Sequence, residues 1–208
     1  MYYCNQFLEI VMALASMLWF IALLLFALYY NFVCSFIRVL LENVYDKIDA
    51  DLLPDDLENL FLEYGNIARC MRSVDEHFSL PVFLAVFFTM AGLFWSGYRI
   101  AFYPGDTNIY YLSLIISPTF YLSVQLLILV SASITNELAN KVKCVIQCLP
   151  YKNFLQDPQR RFTFKKNLNQ DNSLTLWKVY AMDRSLIIAC LGTLLTYGIL
   201  IGTLGKDT

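Results

Sequence analysis

Four long stretches of the chain carry no charge at all. They run over residues 10–37, 78–98, 107–136 and 185–205, and each reaches the roughly 20 apolar residues that a helix needs to cross a bilayer core. Between them the pattern changes character. Ile37, Leu40, Leu41, Val44, Tyr45 and Ile48 recur at three- and four-residue intervals, so the first span is predicted to run on into water as an amphipathic helix. After a break near residues 50–53, Pro54 with Asp55, Asp56 and Glu58 marks a new helix start, because proline has no donor to leave unpaired and the acids complement the dipole. Its apolar stripe is Leu57, Leu60, Phe61, Tyr64, Ile67, Ala68, Met71 and Val74, leading into the second span with Pro81 as a bend. The third span overruns through Leu138, Val142, Val145, Ile146 and Leu149 and stops at Pro150. Residues 152–172 are polar, have no clear period and read as a loop. Ser173 is then a cap for a short helix over 174–182, whose Leu176, Trp177, Val179 and Tyr180 are too apolar to stand in water. A joint of Asp183, Arg184 and Ser185 precedes the last span.

The fold class that follows is all-α and integral to the membrane: four transmembrane helices with cytoplasmic helical extensions. Residues 1–37 hold the first span, 38–77 a cytoplasmic helical anchor, 78–103 the second span and 107–136 the third. Residues 137–184 form a cytoplasmic segment with the short helix, and 185–205 the last span. The anchor stripe, with Phe61 at its centre, is expected to bury itself against Trp177 and Tyr180 of the short helix.

Composition agrees. The 208 residues are 58% hydrophobic and 15% charged, against roughly 45–50% and 25% in soluble domains. Thirteen of the fifteen Lys and Arg residues fall between the first and second spans or between the third and fourth, and only Arg99 and Lys206 lie on the other side. By the positive-inside bias this makes both intervening segments cytoplasmic and both termini extracellular, as for a multi-pass plasma-membrane protein. The net charge of −2 hides an acidic first segment and a basic second one. The basic run from Arg160 to Lys166 sits close to a membrane, where such runs set topology or meet anionic lipid, and it does not indicate nucleic acid. No basic region, short apolar core or small-residue cleavage site marks a signal peptide. Five of the six cysteines lie in or beside the cytoplasm or inside a span, so no disulfide framework is expected. Cys144 and Cys148 are four apart on a helix, but the single histidine, His77, is distant, so these are read as structural thiols. No metal and no cofactor is expected. None of the four charge-free intervals holds an Asp, Glu, His or Lys for acid–base work, which argues against an enzyme and against proton-coupled transport.

The last span has two unlike faces. At 100° per residue Thr193, Thr196, Leu200 and Thr203 share a narrow arc with Tyr197 beside it, while Gly198, Gly202 and Gly205 gather roughly opposite. Hydroxyls facing a lumen can solvate a passing ion, and a ring of Leu200 side chains can close that lumen by dewetting. Glycines at this spacing let helices approach closely. Threonines in membrane helices also commonly bond their own i−4 carbonyl and simply pack. In the third span Ser117, Tyr121 and Gln125 are four apart on one face, and Pro118 frees a backbone acceptor there. They are candidates for ligand contact or for a helix–helix hydrogen bond. Trp95, Tyr98, Phe102, Tyr103, Tyr110 and Tyr111 flank the short outer loop at Pro104 and Gly105 as an interfacial aromatic belt.

The stretch from Leu174 to Leu186, followed by Gly192, Thr196 and Tyr197, resembles the C-terminal signature of the arthropod gustatory receptors. That signature has a short cytoplasmic helix, an acidic-basic joint and a final helix carrying Thr-Tyr, five apolar residues and Gln-Phe. Here Thr196 and Tyr197 match and residues 198–202 fill the five places, while Thr203 and Leu204 replace Gln-Phe, as in a divergent member. The resemblance covers roughly the last 35 residues. It implies the C-terminal part of the seven-span insect chemoreceptor fold: a ligand-gated, non-selective cation channel, assembled with other receptor subunits as a tetramer, whose last helices line the pore. The four spans would be the last four of seven, the chain being either a fragment lacking three upstream spans or a short relative that needs partners. The partners implied are other subunits, a small-molecule tastant and membrane lipids. The alternative is a noncatalytic membrane scaffold or regulatory subunit that assembles through its cytoplasmic helices.

Overall fold

The computed structural model describes residues 2–49, 54–102, 108–148 and 173–204. The loop expected over residues 152–172, the outer turn at Pro104 and Gly105, Tyr103, and the side chains of Leu57, Tyr110 and Tyr111 lie outside the described residues. Four helices account for nearly all of the rest: α1 Tyr2–Asp49, α2 Pro54–Phe102, α3 Asn108–Cys148 and, after a small hairpin, α4 Arg184–Leu204. All four are long and apolar enough to cross a membrane. At a rise of 1.5 Å per residue the first three are about 72, 74 and 62 Å long, twice the thickness of a bilayer core or more. Each must therefore stand well out of the membrane. Helix α4, about 32 Å long, has only enough length to span.

The protruding halves stay helical because they have one another to pack on. On α1 the buried residues are Leu23, Ala27, Tyr30, Cys34, Ile37, Leu41 and Val44, alternating steps of four and three. This is the seam of two helices lying nearly side by side, and it crosses the boundary between apolar and charged sequence without a break. Its principal partner is α3, through Val124, Ile128, Ala132, Val142 and Ile146; α2 closes the group with Leu60, Phe61, Tyr64, Ile67 and Met71 at one end and Val82 and Val86 further along. Hydrophobic burial supplies most of the stability, at about 25 cal/mol per Å² in the part that meets water. Within the membrane, where lipid is as apolar as leucine, polar links hold α1 to α3 instead. The Ser131 hydroxyl donates to Asn31 Oδ1, and the Thr135 hydroxyl, whose shorter contact at 2.8 Å is with the Ser131 carbonyl of its own helix, lies 3.4 Å from the Cys34 carbonyl of α1. In the charged half Lys47 meets Glu63 at 2.7 Å, and the Lys141 ammonium lies 4.2 Å from the centre of the Tyr45 ring.

Residues 174–182 do not form the expected short helix. They form a β-hairpin, β1 Thr175–Leu176 paired antiparallel with β2 Tyr180–Ala181, closed by a turn in which Val179 N–H donates to the Leu176 carbonyl at 2.9 Å. A nine-residue apolar run is short enough to suit either period, and distant side chains decide between them. Asp75 of α2 accepts from the backbone N–H of Thr175 at 2.6 Å and from its hydroxyl at 2.8 Å. Asn136 of α3 takes both edges of the strand pair. Its amide nitrogen donates to the carbonyls of Leu174 and Met182, at 2.9 and 2.8 Å, and its amide oxygen accepts from Leu174 N–H at 2.8 Å. A helix over the same residues would use only the Leu174 carbonyl of these groups within itself and would leave the others unpaired at its ends. Leu174, Leu176 and Met182 are buried beneath the hairpin, and Trp177 and Tyr180 face outward.

The pairing expected between Phe61 and these two aromatics is corrected with it. Phe61 is buried among the three long helices, whereas the hairpin sits beside Asp75 and Ser79. Those lie 14 and 18 residues further along α2, about 21 to 27 Å away.

Candidate functional site

Helix α4 is the least covered part of the fold. Only 6% of its apolar window is buried, against 33% for α3. Its start is well fixed. Asp183 caps it, accepting from Leu186 N–H at 2.9 Å and from the Ser185 hydroxyl at 2.7 Å, and these two bonds hold the Asp183 carboxyl below the usual aspartate range. Arg184 meets Glu137 of α3 at 2.7 Å. With Asn136 one residue earlier, two consecutive residues of α3 grip the hairpin and the first turn of α4. Neither Asn136 nor Asp75 stands out as functional in the sequence. The available signal was an amide at the charged end of an apolar helix, which must find partners or leave the membrane.

Beyond its first turn, α4 rests on α2 and α3 along one stripe. Leu186, Ile187 and Cys190 pack against the core, the Tyr197 ring lies tilted against Phe94 of α2 with centres 4.4 Å apart, and Ile201 is buried. Tyr197 thus belongs to the packed side of the helix. Thr193, Thr196, Leu200 and Thr203 remain exposed on the neighbouring face, with Leu200 55% accessible. Each hydroxyl bonds a carbonyl of its own helix: Thr193 to Ala189 at 2.9 Å, Thr196 to Gly192 at 2.9 Å and Thr203 to Leu200 at 2.8 Å. In that arrangement the hydrogen is spent inward and the oxygen lone pairs are left free to accept. Gly192, Gly198 and Gly202 have nothing within 4 Å of where a Cβ would stand.

The three candidates on α3 divide between neighbours. Ser117 is half-buried. Tyr121 lies against Phe20 of α1, ring centres 5.5 Å apart, and covers Gly92 of α2 so closely that a Cβ there would fall 2.6 Å from the ring. Gln125 is buried at the junction of three helices. Its amide nitrogen donates to the Met90 sulfur of α2 at 3.0 Å, Cys190 of α4 lies beside it, and among the described residues its amide oxygen has no hydrogen-bond partner. Replacing Gly92 by leucine should force Tyr121 off Phe20 and cost about 1–3 kcal/mol; a lowered melting temperature of the purified protein in detergent checks this, and an unchanged one would show that the ring has room to move.

The hairpin tip carries a further departure from rest. Trp177 and Lys178 have φ of 49° and 57°, the left-handed region, which for residues other than glycine costs of order 1–3 kcal/mol each. The five described cysteines, Cys34, Cys70, Cys144, Cys148 and Cys190, are unpaired, and no group of three or more His, Cys, Asp or Glu that could hold a metal occurs among the described residues.

A family model described as Trehalose receptor matches residues 58–207, well over half of the chain, from the second turn of α2 through α3 and the hairpin to the end of α4. No curated protein matches the chain.

Proposed function

Because the chain belongs to the trehalose receptor family of insect gustatory receptors, we propose that it is a taste-receptor subunit that passes cations across the plasma membrane when a small-molecule tastant binds, with α4 lining the path at the centre of an oligomer. The observation that carries this reading is the state of α4: a span-length helix, almost bare within its own chain, with three threonine oxygens on an open face. Lone pairs directed outward suit a partly dehydrated cation and offer an anion nothing. With no charge between Arg184 and Lys206, discrimination rests on width and dipoles, so small monovalent cations should pass with little preference among them. The resemblance in the last 35 residues supports a tetramer.

The tastant would sit at the α3 face. Tyr121 offers a ring, and the free amide oxygen of Gln125 calls for a donor such as a ligand hydroxyl. Expression with other receptor subunits and patch-clamp recording tests the proposal. A cation current evoked by tastant and reduced by Gln125→Leu is expected; assembled protein that never conducts would favour a membrane scaffold. The charge bias further predicts that tags before Met1 and after Thr208 are reachable from outside intact cells while one at Asn153 is not, and labelling of Asn153 from outside would overturn that topology.

A further inference from the structure

The hairpin has a second face that α4 and the core do not use. Leu174, Leu176 and Met182 hold it down, yet Trp177, Val179 and Tyr180 are 56%, 64% and 65% exposed, and Lys178 beside them is also exposed. This cluster is held against resistance. Both central residues of the turn adopt the left-handed backbone that an Asn-Gly pair would take up freely, and three contacts keep it there. Trp177 N–H donates to the Ser79 carbonyl at 3.2 Å, Val179 N–H donates to Leu176, and the indole lies 5.2 Å from the ring of Phe83.

Those contacts fix its level. Ser79 and Phe83 are in the first turns of the apolar stretch of α2, immediately past Asp75, Glu76 and His77. On the same part of α2, Leu80, Leu84 and Phe87 are exposed as a lipid-facing surface, with Phe87 stacked 6.4 Å from Phe83. The apolar side of the hairpin tip is therefore continuous with the surface that lipid covers, at the depth where charged sequence gives way to hydrocarbon. Tryptophan and tyrosine collect at that depth because their rings are apolar and their N–H and O–H are wet. Of the nearby acids Glu137 is paired with Arg184, Asp75 is turned to Thr175 and Asp183 to the start of α4, while Glu76 is exposed on α2. Within the hairpin itself, residues 174–182, the one charged side chain is Lys178.

We propose that the hairpin tip is an interfacial anchor for an anionic leaflet: Trp177, Val179 and Tyr180 enter the boundary between headgroups and acyl chains, and Lys178 engages a lipid phosphate. The partner is the lipid surface itself, and the reading is independent of whether α4 conducts.

The test uses tryptophan emission from the full chain in vesicles of phosphatidylcholine with phosphatidylglycerol. Trp19→Phe and Trp95→Phe leave Trp177 as the only indole. Its emission should be blue-shifted and quenched more by lipids brominated near the headgroup than by lipids brominated near the chain end. Lys178→Glu should abolish the gain in quenching that phosphatidylglycerol gives over phosphatidylcholine alone. Emission quenched by aqueous iodide and not by bromolipid would place the tip in water. Blue-shifted emission insensitive to both would mean that another copy of the chain covers it. Either result overturns the proposal. Should the double replacement not fold, the difference in bromolipid quenching between the unaltered chain and Trp177→Phe gives the same reading.

Discussion

Replacing Asn136 by aspartate should release the hairpin and with it the fixed start of α4. The present amide is used at three points: two hydrogens go to the carbonyls of Leu174 and Met182, and the oxygen accepts from Leu174 N–H. A carboxylate keeps the last contact and sets an oxygen against two carbonyl oxygens. Each buried group left unpaired costs about 1–3 kcal/mol, and the repulsion adds to it, so a loss of about 3 kcal/mol or more is expected, a large share of the total for a domain of ordinary stability. The nick expected on limited proteolysis is near residues 174–182, with a lower melting temperature for the purified protein. Asn136→Leu, which removes the amide without adding charge, should do less harm. Equal resistance of both variants and the unaltered protein to protease would show that Leu174, Leu176 and Met182 hold the hairpin by burial alone.

Leu200→Ser should raise the resting current of the assembled receptor about tenfold or more, the ratio corresponding to about 1.4 kcal/mol taken from the closed state. If α4 lines the path, Leu200 lies within the threonine arc and projects from the open face of every subunit. A ring of such side chains excludes water when the lumen narrows, and a serine ring lets it back. Gly202→Leu makes the contrasting case. Among the described residues that glycine has no neighbour within 4 Å of where a Cβ would stand, so a bulky side chain should cost the monomer little and should instead reduce the oligomer seen on native gels or by size-exclusion chromatography. Cysteines at Thr196 and Thr203, introduced with Cys190 removed, should react with a water-soluble thiol reagent chiefly while the channel is open. Equal protection at Thr196, Thr203 and Gly202 in a conducting receptor would make the arc a packing face.

What the sequence could reveal of this fold was set by the distance over which each feature is decided. The four spans and the stripes of the protruding helices are local matters. Uninterrupted apolar runs and three-to-four spacing specify them residue by residue, and Leu60, Phe61, Tyr64 and Met71 are all buried on the expected face. The arc of Thr193, Thr196, Leu200 and Thr203 was legible for the same reason. That Tyr197 turns to Phe94 was not, since it depends on how α4 leans on α2. The local sequence points to a helix where the hairpin stands, because the deciding partners lie far off in the chain: Asp75 is 100 residues before Thr175, and Asn136 is 38 before Leu174. Thr175, Val179 and Tyr180, all of strand-favouring type, were the one local hint. The fit of Tyr121 over Gly92 has no periodic signature, so only the assembled helices could show it.

The three long helices differ in one respect that matters for how the two sides of the membrane communicate. Helix α2 contains Pro81 and α3 contains Pro118, and each proline removes one rung from the ladder of backbone hydrogen bonds. Helix α1 has neither proline nor glycine anywhere from Tyr2 to Asp49. It is a beam about 72 Å long with every rung in place and its buried seam unbroken from Leu23 to Val44. Bending it would open consecutive hydrogen bonds in a medium that supplies no substitutes, whereas α2 and α3 each carry a ready-made pivot at the level of the bilayer. Spectroscopic rulers placed along α1 should therefore read one constant length in every state of the receptor, giving the fixed axis against which tilts of the other helices can be measured.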